Sequence, residues 1–336
     1  MAVPALAAER RDLIVVGTSA GGIEALPRLL GQLPATFNAS MVICMHLGAR
    51  EDAQLVHILE RSTVLPVSWA EQGEPFLPGH IYVAPPDTHL SIYEGHLRLS
   101  SGPRENFSRP SIDRLFRSAA AQQGARTIGV LLTGMMGDGV AGLVAIRDSG
   151  GRTIVQDPVD AEFSELPTRA LEALKPDAKL RVDEMGAALL DLTQEVAPHF
   201  APPREIVLEA EIDRLGTASP REMDLLGSRV QQMCPECGGP LWEIGKVEHK
   251  HWRCYLGHVV NARDLIDNSS EQLEAALWSA IRSLHERAAT WDALARDARE
   301  AGIERVASDY AARASEGREQ AELARKFMLE VLRRAR

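Results

Sequence analysis

An apolar run, Leu13-Ile14-Val15-Val16, passes directly into Gly17-Thr18-Ser19-Ala20-Gly21-Gly22 and then into a helical pattern ending near Leu30. A strand that enters a glycine-rich turn and leaves as a helix opens a doubly wound α/β fold, and it restricts the chain to two kinds of chemistry. One is phosphate binding at a helix N-terminus. The other is a nucleophile elbow, in which a serine on a sharp turn is presented above the sheet edge.

A dinucleotide site needs Gly-x-Gly-x-x-Gly and an acidic residue about 20 residues further on. Here the middle glycine position is Ser19, and the second strand, 41–45, ends at His46 instead of an acid. A histidine is a poor ribose ligand but a good base for a serine. The base in turn needs an acid to fix its tautomer and balance its charge. In a parallel sheet all three belong at C-terminal strand ends, which share one edge. A later strand, Ile128-Gly129-Val130-Leu131-Leu132, runs into Thr133-Gly134-Met135-Met136-Gly137-Asp138-Gly139, and Asp138 is the natural third member. Singly, His46 reads equally as a core histidine and Asp138 as a helix cap; three such residues at three strand ends point to one site. His57, His80, His89 and His96 lie in a helical pattern or a hairpin region and read as structural.

Further strands are expected at 66–69, 80–84, 96–99 and 152–156, and helices at 52–62, 111–123, 140–149 and 165–173. This alternation predicts a mostly parallel sheet with helices on both faces. Four segments are expected: a catalytic domain at 12–195, a linker at 196–222 marked by Pro198, Pro202 and Pro203, a cysteine module at 223–268, and a helical hairpin at 269–336. Ser269-Ser270-Glu271-Gln272 reads as a capping box opening the hairpin. Leu273, Leu277, Ile281 and Leu284 form one apolar stripe; Ile303, Val306, Tyr310, Leu323, Phe327 and Val331 supply the other helix. Such stripes suit packing of the hairpin on itself, or docking of a partner or second copy.

The module carries Cys234-Pro235-Glu236-Cys237-Gly238-Gly239 and Cys254-Tyr255-Leu256-Gly257-His258. Two close pairs with a short spacer suit a closed, tetrahedral, structural zinc site of zinc-ribbon type, with Cys234, Cys237, Cys254 and His258 as ligands and His249 or His251 as alternatives to the last. Cys44, on a core strand, reads as a small buried hydrophobe. Four cysteines without a disulfide framework, no apolar run near the about 18 residues that cross a bilayer, and no signal peptide predict a cytoplasmic protein that does not insert in membranes. A net charge of -10 opposes nucleic acid as a partner.

Several of these motifs coincide with a known family. The chain resembles, from about Asp12 to Glu195, the catalytic domain of the chemotaxis protein-glutamate methylesterases. The resemblance rests on Gly17–Gly22, on His46, on Ile81-Tyr82-Val83-Ala84-Pro85-Pro86, and on Arg109-Pro110-Ser111-Ile112-Asp113-Arg114-Leu115-Phe116. Leu132–Gly139 and Gly150-Gly151 followed by Ile154-Val155-Gln156-Asp157 complete it. It implies hydrolysis of glutamyl methyl esters on the cytoplasmic helices of methylated chemoreceptors, through Ser19, His46 and Asp138 and an acyl-enzyme. Backbone N–H groups at Ala20 and Met135 are the oxyanion candidates, no cofactor takes part in catalysis, and glutamine deamidation is a second implied activity. Other readings are an esterase on a different protein substrate or a noncatalytic scaffold binding through its C-terminal helices. Met136 departs from the family pattern, which has glycine there. The usual receiver domain has no room before Ser19, so control by phosphorylation in cis is not expected.

Overall fold

β-Branched and aliphatic runs that alternate inward and outward make both faces of a sheet apolar, and such a sheet must be covered twice. The computed structural model, which describes residues 10–46, 54–246 and 250–335, has this construction. β1 (Leu13–Thr18), α1 (Gly22–Leu30), β2 (Ser40–Met45), α2 (Leu55–Glu60), β3 (Val67–Trp69) and β4 (Ile81–Val83) form its first half. A side hairpin, β5 (His89–Tyr93) and β6 (His96–Ser100), precedes α3 (Ile112–Gln123), β7 (Thr127–Leu131), α4 (Val140–Asp148) and β8 (Arg152–Gln156). α5 (Glu165–Ala173), β9 (Ala178–Leu180) and α6 (Val182–Gln194) complete the layer.

Seven strands pair in the order β3-β4-β2-β1-β7-β8-β9, all parallel. Leu13, Val15, Val42, Cys44, Leu131 and Val155 face a core with Ile112, Leu115 and Phe116 of α3, Leu143 of α4 and Leu166 of α5. Ile14, Val16, Met41, Ile43, Val130 and Ile154 face the opposite core with Leu26 and Leu29 of α1, Leu59 of α2 and Met185 of α6. The fold is therefore doubly wound as expected. Strand order reverses between β1 and β7, the place where loops diverge and leave a crevice at the C-terminal edge.

Residues 196–222 were expected to be a linker. Instead they hold α7 (Arg204–Leu215), which buries Glu209, Ile212 and Asp213, and the start of α8 (Pro220–Leu226). A four-stranded antiparallel sheet follows, β10 (Ser228–Met233), β11 (Pro240–Ile244), β12 (His251–Cys254) and β13 (Val259–Asn261). A buried cluster of charges joins it to the parallel sheet. Arg117 of α3 contacts Glu105 at 2.6 Å, Asp213 at 2.5 Å and Glu209 at 3.6 Å. Arg253 of β12 contacts Asp213 at 2.6 Å and Glu209 at 3.5 Å, and Glu209 also meets His251 at 3.0 Å. Burial raises the cost of each charge, but the arginines outweigh it and hold the Glu209 and Asp213 carboxyls below the ordinary range.

The long helix α9 (Ala262–Glu300) starts earlier than the capping-box reading placed it. Asn261 caps it, accepting from the Asp264 N–H at 3.0 Å, and Ser269 lies inside the helix with its hydroxyl on the Leu265 carbonyl. Chain contacts divide the protein at this point into one unit up to Asp264 and a second from Leu265. Within the second unit α9 and α10 (Glu304–Ala335) form a hairpin turned at Gly302 (φ 74). Its buried line is mostly alanine: Ile281, Ala288, Ala295 and Ala298 against Ala307, Ala314, Ala321 and Met328. Most of these recur at heptad spacing. The helices approach so closely that a Cβ on Gly317 would lie 3.2 Å from that of Ala288. Of the expected stripes Ile281 is buried and Leu277, Leu284, Tyr310 and Val331 are half-buried, while Ile303 and Val306 are exposed and Leu273 is 47%, Phe327 57% and Leu323 70% exposed. No helix among the described residues is long and apolar enough to cross a membrane.

Gly17 sets the distance between β1 and α3. A Cβ there would meet Ile112 Cγ2 at 2.2 Å and Phe116 Cζ at 3.0 Å. Gly17→Ala is expected to destabilise the parallel-sheet unit by roughly 1–3 kcal/mol, the usual cost of overpacking, measured by chemical denaturation; an unchanged midpoint counts against this close approach.

Candidate active site

Parallel pairing in register brings the three sequence candidates to one edge. Thr18 pairs with Met45, and Gly17 with both Cys44 and Leu131, so the residues that follow β1, β2 and β7 emerge together. Ser19 is fixed by its N–H on the Thr133 carbonyl at 3.1 Å, and the Thr18 hydroxyl donates to the same oxygen at 2.9 Å. Gly21, at φ 80, caps α1 and turns the chain away. His46 is tied down by its own N–H on the Thr18 carbonyl at 3.2 Å.

His46 presents Nδ1 to Ser19 Oγ at 3.2 Å and Nε2 to Asp138 Oδ2 at 2.8 Å. With a proton on Nε2, donated to Asp138, Nδ1 is left as an acceptor for the serine proton. Asp138 is 2% exposed, and five donors converge on it. Besides His46, its oxygens accept from Ile112 N–H at 2.6 Å, Asp113 N–H at 3.2 Å, Ser111 Oγ–H at 2.8 Å and Asn106 Nδ2–H at 2.9 Å. Ile112 and Asp113 begin α3, so the carboxylate sits at a helix N-terminus. Burial pushes its pKa up, but the bonds from His46, Asn106 and Ile112 overcome this and hold it below the ordinary value. Its neighbour Asp113 goes the other way, raised to about 8 by burial and by the Asp138 charge.

The N–H groups around Ser19 divide cleanly. Gly134 N–H is spent on the Phe163 carbonyl and Met136 N–H on Glu165. Those of Ala20 and Met135 have no acceptor among the described residues. A Cβ on Gly134 would lie 2.9 Å from that of Ser19, so the peptide leading into Met135 passes close to the serine. The Gly21 N–H likewise has no acceptor among the described residues.

His89 is a satisfied core histidine: Nε2 donates to the Pro103 carbonyl at 2.8 Å while Nδ1 accepts from Ser111 N–H at 3.2 Å. Burial, then the Arg114 charge, lowers its pKa to about 3. His80 pairs with Ser68 at 2.9 Å. The sequence reading missed the part played by Asn106, which holds two carboxylates at once, donating to Asp113 Oδ2 at 2.8 Å as well as to Asp138. An asparagine in a connecting loop carries no periodic or spacing signal. Ser111, by contrast, was visible as a polar residue opening a helix.

In the antiparallel sheet, Cys234, Cys237, Cys254 and His258 lie in facing turns, their ligand atoms all within 4.8 Å of one another. Cys237 and Cys254 sulfurs are 3.8 Å apart, and Cys254 Sγ is 3.5 Å from His258 Nδ1. Tetrahedral zinc with ordinary bond lengths gives edges of about 3.8 Å and about 3.6 Å, so the donor set fits that ion. Gly238 (φ 69) and Gly257 (φ 98) supply the left-handed residues of the two turns. The cysteines are free thiols, and a hydrogen bond from Cys234, supported by His258, pushes the Cys254 thiol down to about 4 against the opposing effect of burial. Of the alternative ligands, His251 is engaged with Glu209, and His249 lies outside the described residues.

The sequence profile of the CheB methylesterase family matches residues 14–189. The chain belongs to that family. It is thereby a carboxylic ester hydrolase. A Leptospira interrogans relative is 41% identical over 184 residues, covering 54% of this chain and 95% of its own. The protein-glutamate methylesterase/protein-glutamine glutaminase 2 of Anaeromyxobacter dehalogenans is 40% identical over 57% of this chain, and the protein-glutamate methylesterase FrzG of Myxococcus xanthus 38% over 53%. The chain spans only about half of these two, 56% and 54% of their lengths. The crystal structure of the Thermotoga maritima CheB methylesterase catalytic domain aligns with a TM-score of 0.52 at 30% identity, covering 54% of this chain and 98% of that one.

Met136 adopts φ 65, the left-handed region that glycine occupies without strain. The departure from the family pattern thus keeps a glycine-like backbone at a side chain's expense. Met136→Gly is expected to stabilise the protein by roughly 0.5–1 kcal/mol, the strain relieved less the entropy glycine adds to the unfolded chain, with esterase activity retained; paired denaturation and activity measurements check both.

Proposed function

We propose that this protein hydrolyses glutamyl methyl esters on methylated chemoreceptor-type signalling proteins. The observation that carries the reading is the relay of Ser19, His46 and Asp138 at the point where strand order reverses. Ser19 Oγ attacks the γ-carbonyl carbon while His46 Nδ1 takes its proton. Asp138 accepts from Nε2 and balances the imidazolium charge. The developing oxyanion takes hydrogen bonds from Ala20 and Met135 N–H, donors worth about 3 kcal/mol each in comparable sites. Collapse breaks the C–O bond, and His46 returns the proton to the departing methoxide as methanol. Water then attacks the acyl-serine by the reverse proton path and leaves glutamate. The same steps with an amide would convert glutamine to glutamate and release ammonia. The reading of the substrate is supported by the relatives, all named protein-glutamate methylesterases, and the helices of the chemoreceptor cytoplasmic region are the partner it implies.

The cysteine module holds structural zinc in this reading, supported by three thiols and one imidazole whose ligand atoms all lie within 4.8 Å of one another. The ion takes no part in the ester chemistry; it closes two turns of a small sheet whose apolar core, around Trp242 and Ile244, is shared with α7 and α8. The protein then acts in the reducing cytoplasm, and its hairpin offers exposed Leu323 and Phe327 to a partner or second copy.

Methanol release from methylated receptor membranes tests the reaction. Ser19→Ala and His46→Ala are expected to abolish it with the fold intact, and Asp138→Asn to lower it roughly 10³–10⁴-fold; near wild-type turnover by Ser19→Ala would refute the nucleophile. Elemental analysis is expected to find one zinc per chain, lost in Cys254→Ser. Metal-free protein prepared without chelator excludes the zinc assignment.

A further inference from the structure

Asn106 joins the candidate triad to the cysteine module, and each of its polar atoms is used. Its Nδ2 donates one bond to Asp138 Oδ1 at 2.9 Å and another to Asp113 Oδ2 at 2.8 Å. Its Oδ1 accepts from the Asn261 N–H at 3.0 Å and the Asn261 side-chain amide at 3.3 Å. Its own N–H donates to the Val259 carbonyl at 2.7 Å. The residue is 2% exposed and left-handed, at φ 49, a conformation asparagine accepts more readily than most residues. The direction of the amide follows from its partners: only Nδ2 can face two carboxylates, and only Oδ1 can face two N–H donors.

Asn261 is held with equal definition. Its Oδ1 accepts from Asp264 N–H at 3.0 Å, and its Nδ2 donates to Asp264 Oδ2 at 2.7 Å. It lies three residues beyond His258, at the end of the strand that leaves the cysteine turns. A Cβ on Gly137, next to Asp138, would lie 3.1 Å from Asn261 Nδ2, so the module also closes over the turn that carries the acid.

We propose that Asn106 is a positioning residue for Asp138, and that Asn261 of the cysteine module sets its orientation, making that module part of the esterase's active-site scaffold. The proposal rests on the reading of Ser19, His46 and Asp138 as the catalytic relay. Asn106 meets no reacting atom; it acts by donating to the Asp138 oxygen remote from His46, spreading the carboxylate charge. Without that bond the charge concentrates toward the imidazole, and His46 becomes harder to deprotonate. The titratable groups around Asp138 are His46 itself, Asp113 at the start of α3, His89 on β5 and the Cys44 thiol on β2.

The full chain, its Asn106→Ala and its Asn261→Ala forms are compared in three measurements: the pH dependence of ester hydrolysis, the rate at which a fluorophosphonate labels Ser19, and nitrogen NMR titration of the His46 ring. In Asn106→Ala, kcat is expected to fall roughly 10-fold with little change in KM, and the acid limb and His46 titration to move up by about half a pH unit. Asn261→Ala, which keeps its backbone N–H on Asn106, moves them less in the same direction and stands in should Asn106→Ala fail to fold. A purely structural role would lower the folded fraction and leave the titration midpoint in place. His46 titrating identically in all folded forms overturns the proposal. A wild-type chain that neither hydrolyses ester nor takes the label overturns the catalytic reading instead, while the NMR titration still decides the role of Asn106.

Discussion

A carboxylate with 2% exposure pays heavily for its charge unless donors surround it. Asp138 has five, and they come from three separate parts of the chain: His46 after β2, Asn106 in the loop before α3, and the start of α3, where Ser111 at the cap and the first two N–H groups of the helix all point to it. The arrangement fixes α3 against the turn after β7, and the absent side chain of Gly17 lets α3 sit low enough to reach it. Compensation is complete for only one acid. Asp113, beside it in space with fewer donors and a charged neighbour, retains its proton to about 8. Two buried carboxyls with opposite shifts in one network reflect donor count more than depth, since both are fully enclosed.

The parallel sheet was readable because each strand carries an apolar run of its own and ends in a recognisable turn. The candidate relay was readable for the same reason: its members stand at strand ends, and strand order alone decides whether they meet. Other features depend on approach distance. A hairpin seam of Ala288, Ala295, Ala314 and Ala321 yields little hydrophobic signal beside neighbouring leucines, so the apolar spacing puts Leu273 in one stripe with Ile281 and Leu323 in the other, although only Ile281 of the three is buried. Ser269 had the chemistry of a cap, but Asn261 already occupies that role earlier in the helix. Glu209 and Asp213 fall in the segment expected to be a linker; they become interior residues because Arg117 of α3 and Arg253 of β12 reach them from two different elements.

Charges placed this way bind more by mutual dependence than by net attraction. A buried ion pair gains little over a well-packed apolar contact, while removal of one member costs about 3–5 kcal/mol because the other is stranded. Cutting the chain after Glu195 would take from Arg117 two of its three carboxylate partners, Asp213 and Glu209. Regarding 12–195 as self-sufficient therefore overlooks charges that this segment neutralises only with help from outside it.

The Asn106–Asn261 contact also has a consequence in time. His46 and Asp138 are 92 residues apart along the chain, and Asn106 and Asn261 are 155 apart. A ribosome releases the chain from its N-terminus, at about 5–20 residues per second. Ser19 and His46 emerge early, Asp138 several seconds later, and Asn261 later still. Throughout that interval the nascent chain carries a serine and a histidine at neighbouring strand ends with the acid first missing and then incompletely held. The proposed relay, together with the asparagine pair that holds its acid, is thus complete only once most of the polypeptide has been made.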